Sequence, residues 1–252
     1  MNTILITGAA SGIGRATAER FYQAGWCVGL FDISVTPLEE LSSTWQPQRF
    51  RIQIADVTQP EEIGAAIDRF VAEVGRLDVL FNCAGILELG DFEAIPLQRH
   101  QQIVNINCAG VMNCCYKALP HLKRTPGARV ISMSSASSAY GVPGFASYSA
   151  SKFFVKGFTE ALEMEWARYG IRVKDIEPPF VKTPMLAGKQ ATVIDRMGVN
   201  LLPQDIAEAV FAAADDDAIH HPISAQYRAL RLARKLLPDG ATRGLMKLLS
   251  GY

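Results

Sequence analysis

The sequence has few cysteines, no long apolar run and no excess of charge of either sign. Its five cysteines are an odd number without C-x-x-C spacing, which argues against a disulfide framework and against a zinc site. The 25 basic and 25 acidic residues cancel, so no overall field attracts nucleic acid. No apolar run reaches the roughly 18 residues of a membrane span. We therefore expect a cytoplasmic protein with no signal peptide, no metal and no nucleic-acid partner.

What the sequence does have is a regular alternation of short β-branched runs and longer amphipathic stretches. Several of the short runs are apolar on both faces, which is typical of parallel strands covered on both sides. The pattern predicts an α/β fold with a doubly wound parallel sheet. We expect one domain over residues 1–222, continued by a helical extension over 223–252. The predicted strands are 3–7, 27–32, 51–55, 77–82, 129–134 and 171–176, and the predicted helices lie near 13–24, 37–45, 60–74, 97–119 and 148–169.

The charge of the chain is unevenly distributed. Residues 223–252 contain six basic residues and one acidic residue, a formal charge of +5 that the rest of the chain balances. Leucines and arginines alternate here in a helical pattern that Pro238 and Gly240 end. We expect the apolar face of this helix to be buried and the basic face to be exposed. Three interpretations stay open: an ordinary surface helix, a cover over a pocket, or a contact with a membrane surface. The expected buried face is Ala229, Leu232, Ala233, Leu236 and Leu237, and the expected basic face is Arg228, Arg231, Arg234 and Lys235.

A glycine-rich segment, Thr7–Gly14, follows the first predicted strand and opens a helix. Glycines let the backbone approach a pyrophosphate closely, and the start of a helix offers free N–H groups to an anion. No Gly-Lys-Ser/Thr follows, which disfavours a nucleoside-triphosphate loop. The predicted pyrophosphate contacts are Gly8, Ser11, Gly12, Ile13 and Gly14. The alternative is a tight turn with no ligand.

Two aspartates follow predicted strands at the same edge of the sheet. Asp32 stands 18 residues after Gly14, where a carboxylate can bind the ribose 2′-hydroxyl of NAD and repel a 2′-phosphate. The next residue, Ile33, offers no cation to such a phosphate. Asp56, with Val57 beside it, ends the third strand and could reach the adenine edge, although an ordinary turn aspartate explains it as well. We predict NAD as the cofactor.

Together these motifs resemble the short-chain dehydrogenase/reductase family over residues 2–214. The resemblance rests on Thr7–Gly14, Asn82-Cys83-Ala84-Gly85, Asn107, Ser135 and Tyr148-x-x-x-Lys152, with Cys83 in place of the family's second Asn. It implies a Rossmann-type fold, catalytic Asn107, Ser135, Tyr148 and Lys152, and further cofactor contacts at Asn82, Ala84, Gly85, Tyr148, Lys152, Val181 and Thr183. It also implies that Lys152 holds the nicotinamide ribose, that Asn107 supports a proton relay, and that the chain forms a homodimer or homotetramer through its long helices.

The catalytic residue types agree with that chemistry. Tyr148 and Lys152 are four residues apart, so they share one helix face. A free tyrosine titrates near ~10, and a nearby ammonium is expected to lower the pKa of the phenol. Ser135 can donate a hydrogen bond to the substrate oxygen. Ser134 is a rival for that role, and only the interval to Tyr148 favours Ser135. The alternative is an exposed tyrosine–lysine pair without function.

The substrate is the part that the sequence describes least. The family's Pro-Gly after the sixth strand is Pro178-Pro179 here, and this substitution leaves the position of Thr183 open. The loop from Met185 to about residue 200 has the composition of a lid. The predicted substrate contacts are Ser135, Phe145, Tyr148 and Met185. The apolar candidates for the pocket wall are Leu87, Val142, Phe145, Phe180, Met185 and Leu186.

None of these apolar residues carries a charge, so we predict an NAD(H)-dependent oxidoreductase that interconverts a lipophilic alcohol with a ketone or aldehyde. The alternatives are an NAD-binding sensor without turnover, a peripheral membrane module, and a dehydratase or epimerase on the same fold. His220-His221 is interpreted as part of an edge strand, since adjacent strand residues point in opposite directions.

Overall fold

The computed structural model describes residues 1–252, and its seven strands form one parallel sheet in the order β3-β2-β1-β4-β5-β6-β7. The strands are β1 (Thr3–Thr7), β2 (Cys27–Asp32), β3 (Phe50–Ile54), β4 (Val79–Asn82), β5 (Arg129–Met133), β6 (Arg172–Glu177) and β7 (His220–Pro222). The strand order reverses direction between β1 and β4, which is the topological switch point of a doubly wound sheet. The predicted fold class is confirmed, and all six predicted strands are present within two residues of their expected ends.

Ten α-helices connect and cover the strands. They are α1 (Gly12–Gln23), α2 (Val35–Ser42), α3 (Pro60–Val74), α4 (Leu97–Val104), α5 (Gly110–Leu122), α6 (Ala146–Trp166), α7 (Thr192–Met197), α8 (Pro203–Ala213), α9 (Ala225–Leu236) and α10 (Asp239–Ser250). A π-helical turn, Asn105–Ala109, joins α4 to α5, so the helix predicted near 97–119 is one run with a bulge. The sequence patterns did not predict α7, α8 or α10. No helix combines the length and the apolar character that crossing a membrane requires.

Two hydrophobic clusters cover the two faces of the sheet. One packs α3, α5 and α6 against the sheet and includes Phe70 and Trp166. The other packs α1 and α8 on the opposite face and includes Phe21 and Ile206. Because both faces are covered, the central strands are apolar on both sides, as the sequence pattern indicated.

Strand β6 departs from this apolar pattern, because three of its four charged side chains are buried. Lys174, Asp175 and Glu177 are all buried. The Lys174 ammonium donates to a carbonyl at the end of α8 at 2.8 Å. His220 on β7 lies 3.0 Å from the Asp175 carboxylate, and Lys156 on α6 lies 2.8 Å from the Glu177 carboxylate. Each buried charge therefore has a partner, which offsets the cost of removing it from water.

Helix α9 is oriented the opposite way from the sequence prediction. Two of its leucines point to solvent, with Leu232 57% and Leu236 74% exposed, whereas Leu230 is half-buried. Its inward side instead carries Tyr227, which is 1% exposed, and Arg231, whose guanidinium pairs with buried Glu177. The expected burial is therefore wrong for Ala229, Leu232 and Leu236, and the expected exposure is wrong for Arg231 and Arg234, whereas Ala233 is half-buried and Leu237 lines a cleft of the protein. The physical reason is that Glu177 holds the polar side of the helix inward.

Candidate active site

A cleft of about 390 Å³ opens at the carboxyl ends of the strands, the edge at which open α/β sheets bind ligands. All but two of the residues predicted for the site line this cleft. They are Gly8, Ser11, Gly12, Ile13, Gly14, Asp32, Ile33, Asp56, Val57, Ala84, Gly85, Ser135, Phe145, Tyr148, Lys152, Val181, Thr183 and Met185. The fold thus brings together residues that lie as far apart in the sequence as the first strand and the lid.

The β1–α1 loop and the first turn of α1 are packed so tightly that Gly8 and Gly14 must be glycine. A Cβ on Gly14 would lie 2.1 Å from the Gly8 carbonyl oxygen. A Cβ on Gly8, whose φ is +72°, would lie 2.8 Å from the Ala84 Cα. The first amides of α1 have no partner within the helix, and they belong to residues of the cleft wall. This cradle fits the pyrophosphate of a dinucleotide.

Hydrogen bonds from the backbone hold both aspartates at the nucleotide end of the cleft. The Asp32 carboxylate accepts from the amides of Ala10, at 3.0 Å, and Ser34, at 3.1 Å. One oxygen of Asp56 accepts from the Thr58 amide at 2.8 Å, which is the geometry of a turn aspartate. Asp32 is therefore fixed at the end of β2, where the ribose of an adenosine would lie.

Asn82 and Asn107 are the two predicted site residues that do not line the cleft. The Asn82 amide is buried and donates to the Ser132 hydroxyl at 3.1 Å, behind the cleft wall. The Asn107 oxygen accepts from the Ile86 amide at 2.9 Å, and its NH₂ donates to the Ile86 carbonyl and to the Ser151 hydroxyl. Asn107 stands in the π-helical turn, and its side chain ties the β4–α4 loop to α6.

Tyr148 and Lys152 lie on one face of α6 at the floor of the cleft. Burial raises the pKa of Tyr148 to about 12, and a hydrogen bond with Ser135 acts in the opposite direction. The Lys152 ammonium lies 5.4 Å from the centre of the Tyr148 ring and donates to the Met133 carbonyl at 2.7 Å. The net shift is therefore opposite to the lowering that was expected from Lys152, because desolvation of the phenolate is the larger effect. Tyr148 therefore keeps its proton near neutral pH.

Lys152 itself is a buried cation, 5% exposed. Burial lowers the pKa of its ammonium to about 8, and the neighbouring Cys83 and Cys108 oppose this shift. Cys83 replaces the asparagine that the motif normally carries, and burial raises the pKa of its thiol to about 12. At neutral pH the floor of the cleft therefore contains an ammonium, a neutral phenol and a neutral thiol.

The two serines after β5 have different surroundings. The Ser134 hydroxyl is buried and donates to the Lys152 carbonyl at 3.4 Å, so it is committed to helix α6. The Ser135 hydroxyl accepts from the Ser137 amide at 3.2 Å and interacts with the Tyr148 phenol. The geometry therefore favours Ser135, as the interval in the sequence did.

The loop after β6 carries Pro179 and still brings Thr183 to the cleft. The Pro178 carbonyl accepts from the Ala136 amide at 2.8 Å, which ties this loop to the loop after β5. The Thr183 methyl group lies 3.4 Å from the position of a Cβ on Gly12. Thr183 thus stands directly over the glycine loop, and the double proline does not displace it.

The substrate end of the cleft is an apolar chamber. Leu87, Phe145, Val193 and Ile194 form a small buried cluster, and Tyr148 packs against it. Val193 and Ile194 belong to α7, so the segment predicted as a lid contributes a helix to the chamber wall. Leu249 of α10 packs against the same cluster.

The two C-terminal helices and the turn between them form a wall of the cleft, and its residues were not predicted individually from the sequence. The side chains that line it are Tyr227, Leu230, Arg234, Leu237, Thr242, Leu245, Met246 and Leu249. The spacing of Thr242, Leu245, Met246 and Leu249 is that of one helix face, a signal that could have predicted α10. Arg234 also corrects the expectation that no charge faces the substrate, although Asp239 pairs with it at 3.0 Å.

Asp175, Glu177 and His220 place their ligand-type atoms within 4.8 Å of one another outside the cleft. The Glu177 oxygens, however, already accept from Lys156, Tyr227 and Arg231. This cluster therefore has the arrangement of an ion-pair network that joins β6 to its neighbours.

A family model described as short chain dehydrogenase matches residues 2–193. The chain belongs to this family. The 3-oxoacyl-(acyl-carrier-protein) reductase FabG of Thermotoga maritima is 32% identical over 222 residues, 85% of this chain and 90% of that protein. The cyclohexanol dehydrogenase of an Acinetobacter species is 29% identical over 220 residues, 85% of this chain and 88% of that protein.

A solved structure gives the same result for the fold. The 3-ketoacyl-(acyl-carrier-protein) reductase of Brucella melitensis, complexed with NADH, matches with a TM-score of 0.80 at 26% identity, over 88% of this chain and 96% of that chain. This short-chain dehydrogenase is an oxidoreductase that acts on CH–OH groups and the corresponding carbonyls, with a nicotinamide dinucleotide as cofactor.

Proposed function

We propose that this short-chain dehydrogenase is NAD(H)-dependent and interconverts a lipophilic alcohol with its ketone or aldehyde. The observation that carries the choice of NAD is the Asp32 carboxylate, which backbone hydrogen bonds fix at the end of β2. The only basic residues in the cleft wall are Lys152 and Arg234, at its catalytic and substrate ends. A 2′-phosphate beside Asp32 would thus meet a negative charge and no cation.

The proposed cofactor-binding residues rest on the resemblance to the family and on their places in the cleft wall. Gly8, Gly12 and Gly14 would hold the pyrophosphate, Asp32 the adenosine ribose, Lys152 the nicotinamide ribose and Thr183 the carboxamide. Ser11, Ile13, Ile33, Asp56, Val57, Ala84, Gly85 and Val181 would complete the dinucleotide site. When bound, the dinucleotide supplies or accepts the hydride.

The acid–base chemistry belongs to Tyr148. Its phenol holds a proton at neutral pH and can donate it to the oxygen of a ketone as that oxygen becomes an alkoxide. Ser135 donates a hydrogen bond to the same oxygen and stabilises its developing charge. The positive charge of Lys152 favours the phenolate that remains, while Asn107 holds the backbone of the floor in place.

The apolar chamber supports a lipophilic substrate. Of the 46 residues that line the whole cleft, 29 are hydrophobic, and Phe145 and Met185 lie beside the catalytic residues. Asp239 neutralises Arg234, the single charge on the substrate side. Desolvation of each substrate methylene group would contribute roughly 0.8 kcal/mol to binding.

The outer faces of the long helices support a homodimer or homotetramer. Ile103 and Val111 are buried in the core, whereas Val104, Met112 and Phe153 are each more than 40% exposed. Exposed apolar side chains on these helices mark a surface that association would cover. Light scattering of the purified chain should return at least twice its 27.5 kDa mass.

The proposed function is tested by a screen of alcohols that are graded by chain length and ring content, with NAD⁺ or NADP⁺ supplied. Stoichiometric NADH formation on the apolar alcohols is the expected result. Asp32→Ala should reduce the preference for NADH over NADPH, measured as the ratio of their dissociation constants. Asp56→Ala, in the same cleft, should leave that ratio unchanged. Tighter binding of NADPH than of NADH by the unaltered chain would overturn the choice of cofactor. A product without stoichiometric NADH would indicate a dehydratase or epimerase, and binding without turnover would indicate a sensor.

A further inference from the structure

Helix α9 presents an apolar stripe to solvent. Ala225, Ala229, Leu232 and Leu236 are spaced four, three and four residues apart, so they share one helix face, and all four are exposed. Helix α10 adds Leu248, which is 66% exposed. We call these five residues the outer C-terminal face. Exposed apolar surface of this kind marks an interaction site when polar residues border it.

Unpaired cations accompany this face. Arg228 and Lys235 lie beside the stripe of α9, and Arg243 and Lys247 lie on α10, all of them exposed. The Arg228 guanidinium donates to the Pro222 carbonyl, and none of the four side chains forms an ion pair with a carboxylate. The only acid of residues 223–252 is Asp239, and it pairs with Arg234.

Contacts with the buried Glu177 carboxylate set the orientation of α9. Tyr227 and Arg231 both donate to the buried Glu177 carboxylate, at 3.0 and 3.1 Å. Turning the leucines inward would remove both donors from this carboxylate and leave its charge buried without them. The leucines are therefore held outward by the protein's own interior, and covering them requires a partner from outside.

We propose that the outer C-terminal face docks on the surface of a membrane that contains anionic lipids. A helix with leucines on one face and lysine or arginine beside them lies in the plane of the membrane interface. Anionic headgroups complement the four free cations. A second copy of the chain fits this face less well, because a symmetric contact would place the same cations against one another.

This docking would place the source of a lipophilic substrate next to the cleft. The inward side chains of the same two helices, such as Leu230 and Leu249, line the cleft wall. The proposal does not depend on the identity of the substrate, because binding to a membrane is measured without turnover.

The test is flotation of the purified full-length chain with vesicles of phosphatidylcholine alone or with about 30% phosphatidylglycerol. The chain should float with the anionic vesicles, bind the neutral ones several-fold less, and be released by high salt. The double variant Leu232→Gln/Leu236→Gln should lower the bound fraction about tenfold. Leu202→Gln, which changes a leucine that is 49% exposed before α8, should bind like the unaltered chain.

None of the three substituted leucines lines the cleft, so both variants should bind NADH like the unaltered chain, and this binding shows that they are folded. Failure of the unaltered chain to float with anionic vesicles would overturn the proposal. Equal flotation of the double variant would overturn it as well. One combination of results would instead identify the face as a contact between copies of the chain. In it, the unaltered chain does not float, and the double variant has a smaller mass than the unaltered chain in light scattering.

Discussion

The Tyr227 hydroxyl on α9 donates a 3.0 Å hydrogen bond to the Glu177 carboxylate at the end of β6. Glu177 is completely buried and also accepts from Lys156 of α6 and Arg231 of α9. One carboxylate therefore joins the sheet, the helix that carries Tyr148 and the C-terminal wall of the cleft. The C-terminal extension is thus attached to the catalytic half of the molecule by buried polar contacts.

Glu177→Gln should lower the free energy of unfolding by about 2–3 kcal/mol, because it leaves two cations without their common counterion. We expect a smaller loss of unfolding free energy than for a fully buried ion pair, because the side chains of Lys156 and Arg231 are still 19% and 21% exposed. Urea denaturation measures the change. Glu208→Gln, which breaks an exposed pair with Arg20, is the matched control and should cost less than about 1 kcal/mol. Equal effects of the two variants would show that the Glu177 network is not a stabilising contact.

The activity should depend on the charge of Lys152. The ordinary pKa of a lysine is 10.5, and burial lowers that of Lys152 to about 8, so its ammonium is present below pH 8 and is lost as the pH rises through that value. Tyr148, with a pKa of about 12, keeps its proton over the same range. The kcat/KM for ketone reduction should therefore be constant at neutral pH and fall above about pH 8. A profile that stays level to pH 10 would contradict this assignment.

The C-terminal wall should select for large substrates. Leu249→Ala removes a side chain that packs in the apolar chamber, whereas Leu248→Ala changes its exposed neighbour on the same helix. The KM for long-chain or polycyclic alcohols should rise several-fold in Leu249→Ala, because each substrate methylene group that stays in water costs roughly 0.8 kcal/mol of binding. The same KM should not change in Leu248→Ala. The KM for a small alcohol should not change in either variant. An equal rise for small and large alcohols would indicate that Leu249 only stabilises the fold.

Much of the fold could be predicted from the sequence because its signals are local. A strand such as 27–32 is apolar over its whole length up to Asp32. The helix over 60–74 ends at Gly75, whose left-handed conformation, with φ of +85°, is one that glycine adopts readily. The motifs could be placed for a similar reason. Parallel strands end at one edge of the sheet, so Gly8, Asp32 and Ser135 had to meet there.

The orientation of α9 could not be predicted because it depends on a residue far away in the chain. An amphipathic pattern shows that a helix has two faces, and the usual assumption is that the apolar face is buried. Here the buried carboxylate of Glu177, 54 residues before Arg231, reverses that assignment. The position of Asn82 is a similar case, because its contact with Ser132 depends on the pairing of β4 with β5.

The pKa of Tyr148 depends on burial, which residue spacing does not describe. The four-residue interval to Lys152 correctly predicts a shared helix face, but the ammonium donates its hydrogen bond to the Met133 carbonyl. Desolvation then decides the direction of the shift.

The most direct test of the account is the turnover of Tyr148→Phe with its NADH affinity measured in the same preparation. The substitution removes only the hydroxyl that carries the transferable proton, so NADH binding should remain nearly unchanged. Turnover of an apolar alcohol or ketone should fall by more than about a hundredfold, which is at least ~2.7 kcal/mol of transition-state stabilisation. A variant that keeps more than about a tenth of the original activity, a loss under ~1.4 kcal/mol, would contradict the assignment of Tyr148 as the catalytic acid.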